Sequence, residues 1–157
     1  MNDGKSKGGA TEIVISTDMS RFELDRVHRF LQHEAYWCRG LPRDVFDRSI
    51  AHSLCFGAFL ASGEQAAFAR IISDRATFAH LCDVFVFPHW RGQGISKALI
   101  ETVLAHPQLK GLRRFTLSTS DASELYARYG FRPPARPDRL MEIANPRAYL
   151  DEEGATA

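Results

Sequence analysis

The residues best suited to chemistry in this chain lie between Val84 and Lys97. An apolar run, Val84-Phe85-Val86-Phe87, leads through Pro88 into Arg91-Gly92-Gln93-Gly94-Ile95-Ser96, where helical periodicity begins. The first N–H groups of a helix have no partner inside it and sit at the positive end of its dipole. Glycines at 92 and 94 would let that main chain approach a phosphate with no Cβ in the way. The turn therefore suits a diphosphate. The same glycines would equally serve a plain bend between strand and helix. A Walker turn, G-x-x-x-x-G-K-[ST], is absent, and a dinucleotide fingerprint, G-x-G-x-x-G, would need glycine at 97, where lysine stands.

A second group is His80, Cys82 and Asp83. One His and one Cys two positions apart lack the further pair that a zinc site needs, so no metal is expected. Strict strand alternation would put Asp83 on one face with Leu81 and Phe85, and His80 on the other with Cys82 and Val84. A carboxylate among apolar neighbours suits a general base. Asp83 could equally anchor the strand end or pair with Arg70.

Hydrophobic periodicity supplies elements to hold these residues. Thr11–Ser16 reads as a short strand. Ser20 with Glu23 forms a capping box ahead of Leu24, Val27 and Leu31 at helical spacing, and Gly40-Leu41-Pro42 breaks that helix. A second helix is expected near 43–51. The period then changes to two: Leu54–Ala61 and Gln65–Ser73 flank a hairpin turn at Ser62-Gly63-Glu64, and Phe78–Phe87 follows. A helix runs from Ile95 to about His106, and a strand from Arg114 to Thr119. Asp121 and Glu124 form a second capping box, opening a short helix with Leu125, Tyr126 and Tyr129 on one stripe, stopped by Gly130. A last strand is expected at Leu140–Ala144, after the turn at Pro133, Pro134 and Pro137. Such an order implies a mixed sheet, an antiparallel meander followed by parallel crossovers, in an α/β (α+β) fold with helices on both faces.

With 157 residues, 45% hydrophobic and 25% charged, the chain has the length and composition of one soluble domain. That domain is expected over residues 11–150, with frayed, disordered ends at 1–10 and 151–157. Twenty Lys+Arg against nineteen Asp+Glu leave a net charge of +1. So small an excess gives no electrostatic case for nucleic acid or a membrane surface as partner. No apolar stretch approaches the roughly 18 residues of a membrane helix, and residues 1–10 carry no secretory signal. Cys38, Cys55 and Cys82, odd in number and without C-x-x-C spacing, read as reduced thiols of a cytoplasmic protein.

Two segments carry a resemblance. Arg91-Gly92-Gln93-Gly94-Ile95-Ser96 resembles the R/Q-x-x-G-x-G/A turn of the GNAT superfamily of acyl-CoA-dependent N-acetyltransferases. Thirty residues on, Leu125-Tyr126-Ala127-Arg128-Tyr129-Gly130-Phe131 is similar to that family's second signature, L-Y-x-x-x-G-F. The similarity spans roughly Thr11 to Leu150 and is firmest from 80 to 131. The Tyr36-Trp37 pair, the Phe68-Ala69-Arg70-Ile71 strand and His106-Pro107 resemble small bacterial GNAT proteins whose substrates are mostly unassigned. Ser96 departs from the usual Gly or Ala, and Thr119 stands where many relatives place an Asn that bonds the pantetheine arm.

The resemblance implies a mixed central sheet of about six to seven strands. It also implies acetyl-CoA as co-substrate and a small-molecule or protein amine as acceptor, acetylated by direct attack with no covalent enzyme intermediate. Carried over, it has Phe85 and Val86 on a strand that splays from the next, their main-chain groups pairing with the pantetheine amides. Arg91, Gly92, Gln93, Gly94, Ile95 and Ser96 wrap the diphosphate. Thr119 flanks the pantetheine, and Tyr126 lies near the thioester sulfur. A backbone N–H near Val86 could hold the oxyanion. The phenol of Tyr126 can protonate a leaving thiolate; it could also simply pack on the core. Asp83 is a candidate base acting through a water, and His80 a weaker one. Tyr36, Trp37 and Arg39 lie where relatives build the acceptor pocket. An aromatic wall with an arginine there suits a small amine bearing a carboxylate; a helix end packed on the core is the other reading. Among Arg113, Arg114, Arg128, Arg132, Arg136 and Arg139 there could be a partner for the coenzyme's 3′-phosphate. A non-catalytic acyl-CoA-binding regulatory module keeps the turn without needing Tyr126. A dinucleotide-binding protein would instead show a parallel sheet from residue 11. The sequence allows a homodimer.

Overall fold

The period-two runs pair into a single sheet of five strands, ordered β1-β2-β3-β4-β5. The structure is a computed structural model describing residues 11–150; the frayed ends expected at 1–10 and 151–157 lie outside the described residues. The strands are β1 (Ile13–Ser16), β2 (Leu54–Leu60), β3 (Gln65–Ser73), β4 (Phe78–Val86) and β5 (Arg114–Leu117). The first four form an antiparallel meander, and β5 joins β4 in parallel after a helical crossover. The antiparallel start excludes the parallel sheet of a dinucleotide-binding fold.

Helices cover both faces. α1 (Leu24–His33) and α2 (Arg43–Ala51) pack on one, where Val27, Leu31 and Phe46 meet Phe59, Phe68 and Phe85. α3 (Ile95–Ala105) and the short α4 (Ser123–Ala127) cover the other, where Leu99, Ile100 and Val103 meet Phe56, Ala67 and Ile71. β2 and β3, buried on both sides, accordingly read as nearly continuous apolar runs.

Five local expectations fail, each because the pairing of groups in the fold differs from the one the local pattern implies. Glu23 does not reach back to Ser20: its Oε1 accepts from the Gln65 N–H, while the Glu23 N–H donates to Gln65 Oε1 at 2.9 Å, so the first capping box is absent. α1 ends at His33, short of Gly40, because the Gly40 N–H folds back onto Gln32 O at 2.9 Å and frees residues 34–39 as a loop. In place of the second capping box, Thr119 Oγ1 accepts from the Ala122 N–H at 3.0 Å. Leu140–Ala144 forms no strand, since no neighbouring strand is hydrogen-bonded to it, and the sheet has five strands instead of six to seven.

The fifth correction bears on the site. Phe68 pairs with Phe85 and Arg70 with Cys82, so β4 holds one residue more than β3 across this interval, a β-bulge. Asp83 absorbs it at φ +51°, a conformation Asp tolerates better than most residues. The extra residue reverses the alternation: Leu81 faces the α3 side and Phe85 the α1 side. Asp83 therefore does not share a face with both.

Candidate active site

β4 and β5 stay paired only from Phe78 to Leu81 on one strand and Arg114 to Leu117 on the other. Beyond Leu81, β4 continues to Val86 while β5 stops, so the two strands part. The gap opens into a cavity of about 710 Å3, lined on one side by Cys82 to Val86 and on the other by Ser118 and Thr119. At its mouth lie Arg91, Gly92 and Ser96.

The main chain of β4 is arranged to meet a guest. Phe87 N–H donates to Ala66 O at 2.9 Å, which makes Ala67 and Val86 a non-hydrogen-bonded pair. The N–H and C=O of Val86 therefore turn away from β3 toward the gap, and its carbonyl already accepts Arg91 Nε at 3.1 Å. The alternation turns the main-chain groups of Phe85 the other way, to β3, and its ring stacks on Phe30 at 4.0 Å between centroids.

The turn that follows holds Gly92 at φ +75° and Gly94, the N-cap of α3, at φ +77°. A Cβ built on either would meet nothing within 4 Å, so the backbone faces open space. Gly94 caps α3 without a side-chain hydrogen bond, and among the described residues the N–H groups of Gly92 through Ser96 donate to no protein acceptor. The side chains of Gln93 and Ile95 face elsewhere: Gln93 bonds Thr11, and Ile95 is buried in the core under α3. From those two residues only main chain is available to a ligand.

Tyr126 lies beneath the parted strands, its ring edge-on to Phe131. Its hydroxyl has no protein partner among the described residues, yet no buried side-chain polar atom there is left unpaired, so the oxygen stays accessible to solvent or a ligand. Burial, with a smaller contribution from Asp121, pushes its phenol above the ordinary value and keeps it protonated. Thr119 lines the cleft, its oxygen accepting from the Ala122 N–H just ahead of α4.

Asp83 takes the ion-pair alternative. Arg70 Nε donates to its Oδ2 at 2.7 Å and Trp37 Nε1 to its Oδ1 at 3.0 Å, with both charged groups largely buried. His80 also lines the cleft, its Nδ1 lying 2.8 Å from Thr116 Oγ1. Thr116 Oγ1 also lies 3.4 Å from Ala79 O; in the tautomer whose Nδ1–H donates to Thr116 Oγ1, the lone pair stands on Nε2. Burial, then the charge of Arg70, lowers the His80 pKa below its ordinary value. Cys82 shares the cleft, but burial pushes its thiol up to about 12, and its S–H donates to Arg70 O.

The loop freed by the early end of α1 roofs the cleft. Tyr36 hydrogen-bonds Ser120 across the gap, and Trp37 stands edge-on to Tyr36. Arg39 is exposed and does not line the cavity; Glu34 and Asp121 do. Glu34 did not stand out beforehand, and Asp121 only as a capping residue, since an isolated carboxylate in a loop has no spacing that points to a pocket. Of the Arg cluster, Arg114, Arg132, Arg136 and Arg139 line a separate groove on the far side of β5. No group of three or more His, Cys, Asp or Glu among the described residues could hold a metal ion. No helix among them is long and apolar enough to cross a membrane.

The stretch of chain that carries this arrangement matches known proteins. The acetyltransferase (GNAT) domain matches residues 51–133, more than half of the chain. A crystal structure of a provisionally described GNAT-family acetyltransferase from Xanthomonas campestris pv. campestris is 52% identical, with 91% of this chain and 100% of that one covered and a TM-score of 0.88. A protein of Gibberella zeae, also provisionally described as an acetyltransferase, is 26% identical over 74% of this chain and 77% of its own. Glucosamine-6-phosphate N-acetyltransferase from Arabidopsis thaliana shares the fold at 15% identity, with 89% and 99% of the chains covered and a TM-score of 0.60. The chain belongs to the GNAT family of acetyltransferases.

Proposed function

We propose that this acetyltransferase moves the acetyl group of acetyl-CoA directly to a primary amine of a small molecule or a protein. The observation that carries this reading is the parting of β4 from β5 beside the unpartnered amides of Gly92 to Ser96. Those amides hold the diphosphate, helped by the Ser96 hydroxyl and Arg91, and the pantetheine lies along β4 as a missing strand. Phe85 supplies floor, and Thr119 flanks the arm by shape. The Val86 N–H faces the thioester oxygen, where one such donor is worth about 3 kcal/mol of barrier. Tyr126 protonates the departing thiolate.

The attacking amine must first lose a proton. We assign that step to His80 Nε2, directly or through a water, and give Asp83 the positioning role of holding Arg70 and Trp37 around the bulge. An acylated Cys82 is disfavoured because its thiol stays protonated at neutral pH. Arg39 lies outside the cavity that Glu34 and Asp121 line. That favours an acceptor with a second positive charge over one bearing a carboxylate. Three free cysteines suit a reducing cytoplasm.

Free-thiol release measured with acetyl-CoA over a panel of diamines, amino acids and lysine peptides tests the reading. Turnover is expected, greatest with the diamines or peptides. Tight coenzyme binding with no turnover on any amine would instead make the chain a binding module. The base has its own test in the pH dependence of kcat/KM. Because the His80 pKa is lowered, Nε2 stays unprotonated further into acid, so activity should fall only as pH drops below about 6.5. His80→Gln should abolish that limb.

A further inference from the structure

The sheet ends on an open edge. β5 pairs with β4 on one side, and among the described residues nothing pairs with the other. That edge gives onto a groove of about 880 Å3, floored by Phe115, Leu117 and Phe131 and rimmed by Arg114, Arg132 and Arg139. Past the groove the chain presents Leu140-Met141-Glu142-Ile143-Ala144 between a tight turn at Pro137–Arg139 and Pro146. Met141 and Ile143 are 98% and 104% exposed, entirely in water, although the segment has the apolar character that marked it as a strand. A lone extended segment leaves its N–H and C=O groups unpaired and has no face to bury, so it does not persist as a strand by itself. The groove lacks a strand, and the segment lacks an edge.

We propose that a second copy of this chain satisfies both: Leu140–Ala144 of one protomer adds to β5 of the other, and reciprocally, about a two-fold axis. Charge favours this occupant, since the groove is rimmed by arginines and the segment carries Glu142. Geometry disfavours self-pairing. Leu140 reaches the groove of its own chain, but Met141 and Ile143 stay in water. The groove also shares Leu117, Ser118, Thr119 and Tyr126 with the cleft, so the added strand backs the lip that carries Thr119.

The full chain at micromolar concentration, examined by light scattering, should have twice its 17.7 kDa mass. Hydrogen exchange should show the Phe115 and Leu117 amides, which face away from β4, protected together with amides in 141–143. Met141→Asp combined with Ile143→Asp should weaken association by at least about tenfold, because burying the new carboxylates is costly. Both protections should disappear with it. The substituted side chains are in water within one chain, so far-UV circular dichroism should be unchanged. A wild-type monomer would overturn the proposal. So would a dimer indifferent to the substitutions, which uses another surface. So too would a monomer with the Phe115 and Leu117 amides protected, whose groove is filled by its own chain. Mass and exchange are the readouts, so the outcome is independent of the catalytic reading.

Discussion

The two halves of the cleft are built from different materials. The half proposed to face the coenzyme is main chain: the turned-out amide of Val86, the uncapped N–H groups from Gly92 to Ser96, and two glycines at positive φ. The half assigned to the amine is side chain: Tyr36 tied to Ser120, Trp37 on Asp83, and Asp83 on Arg70. Backbone donors bind what every acyl-CoA has in common and accept almost any side chain around them. A pocket made of side chains on a loop can be changed residue by residue, which suits the half that selects the acceptor.

Variants can break or sharpen that contrast. The largest effect is expected at the seam, where Tyr126→Phe should lower kcat by about 10²–10⁴-fold. Coenzyme affinity, read by titration, should hold. An unchanged kcat would return Tyr126 to plain packing. Asp83→Ala leaves the buried guanidinium of Arg70 without its counter-charge, only Ser53 Oγ still accepting from Nη1, at a cost of about 3–5 kcal/mol. In calorimetry this should appear as a Tm lower by about 10 °C, so the amine half would prove structural as well as selective. Gly94→Ala meets no steric obstacle but places an L residue at φ +77°. The strain of about 1–2 kcal/mol should weaken coenzyme binding by about tenfold and leave the amine KM alone. Tyr36→Phe removes one neutral hydrogen bond, worth about 0.5–1.5 kcal/mol. It should shift the amine KM severalfold and not the coenzyme Kd. Crossed effects in the last two variants would mean that the halves are not separable.

The coenzyme half was the more legible of the two. A glycine turn between an apolar strand and an amphipathic helix spans few residues, and its local preferences survive in the fold, as do the limits of β3, α2 and the start of α3. The amine half was not legible, because loop 34–39 exists only through Gly40 folding back onto Gln32. Glu23 and the Asp121–Glu124 box failed as locally read signals for a related reason: other partners took the groups involved, Gln65 those of Glu23 and Thr119 the Ala122 N–H. Asp83 was read as either base or partner of Arg70, and composition could not choose between them.

Sequence alone was enough for the order of elements, the meander followed by a parallel strand, and the open helix start that invites a phosphate. These follow from periodicity and backbone preference, which act over a few neighbouring residues. Tertiary structure decided the bulge at Asp83, the face each β4 side chain takes, the residues that roof the cleft, and the isolation of Leu140–Ala144. Each depends on which groups distant in the chain meet first and bind best, and no local window contains both partners.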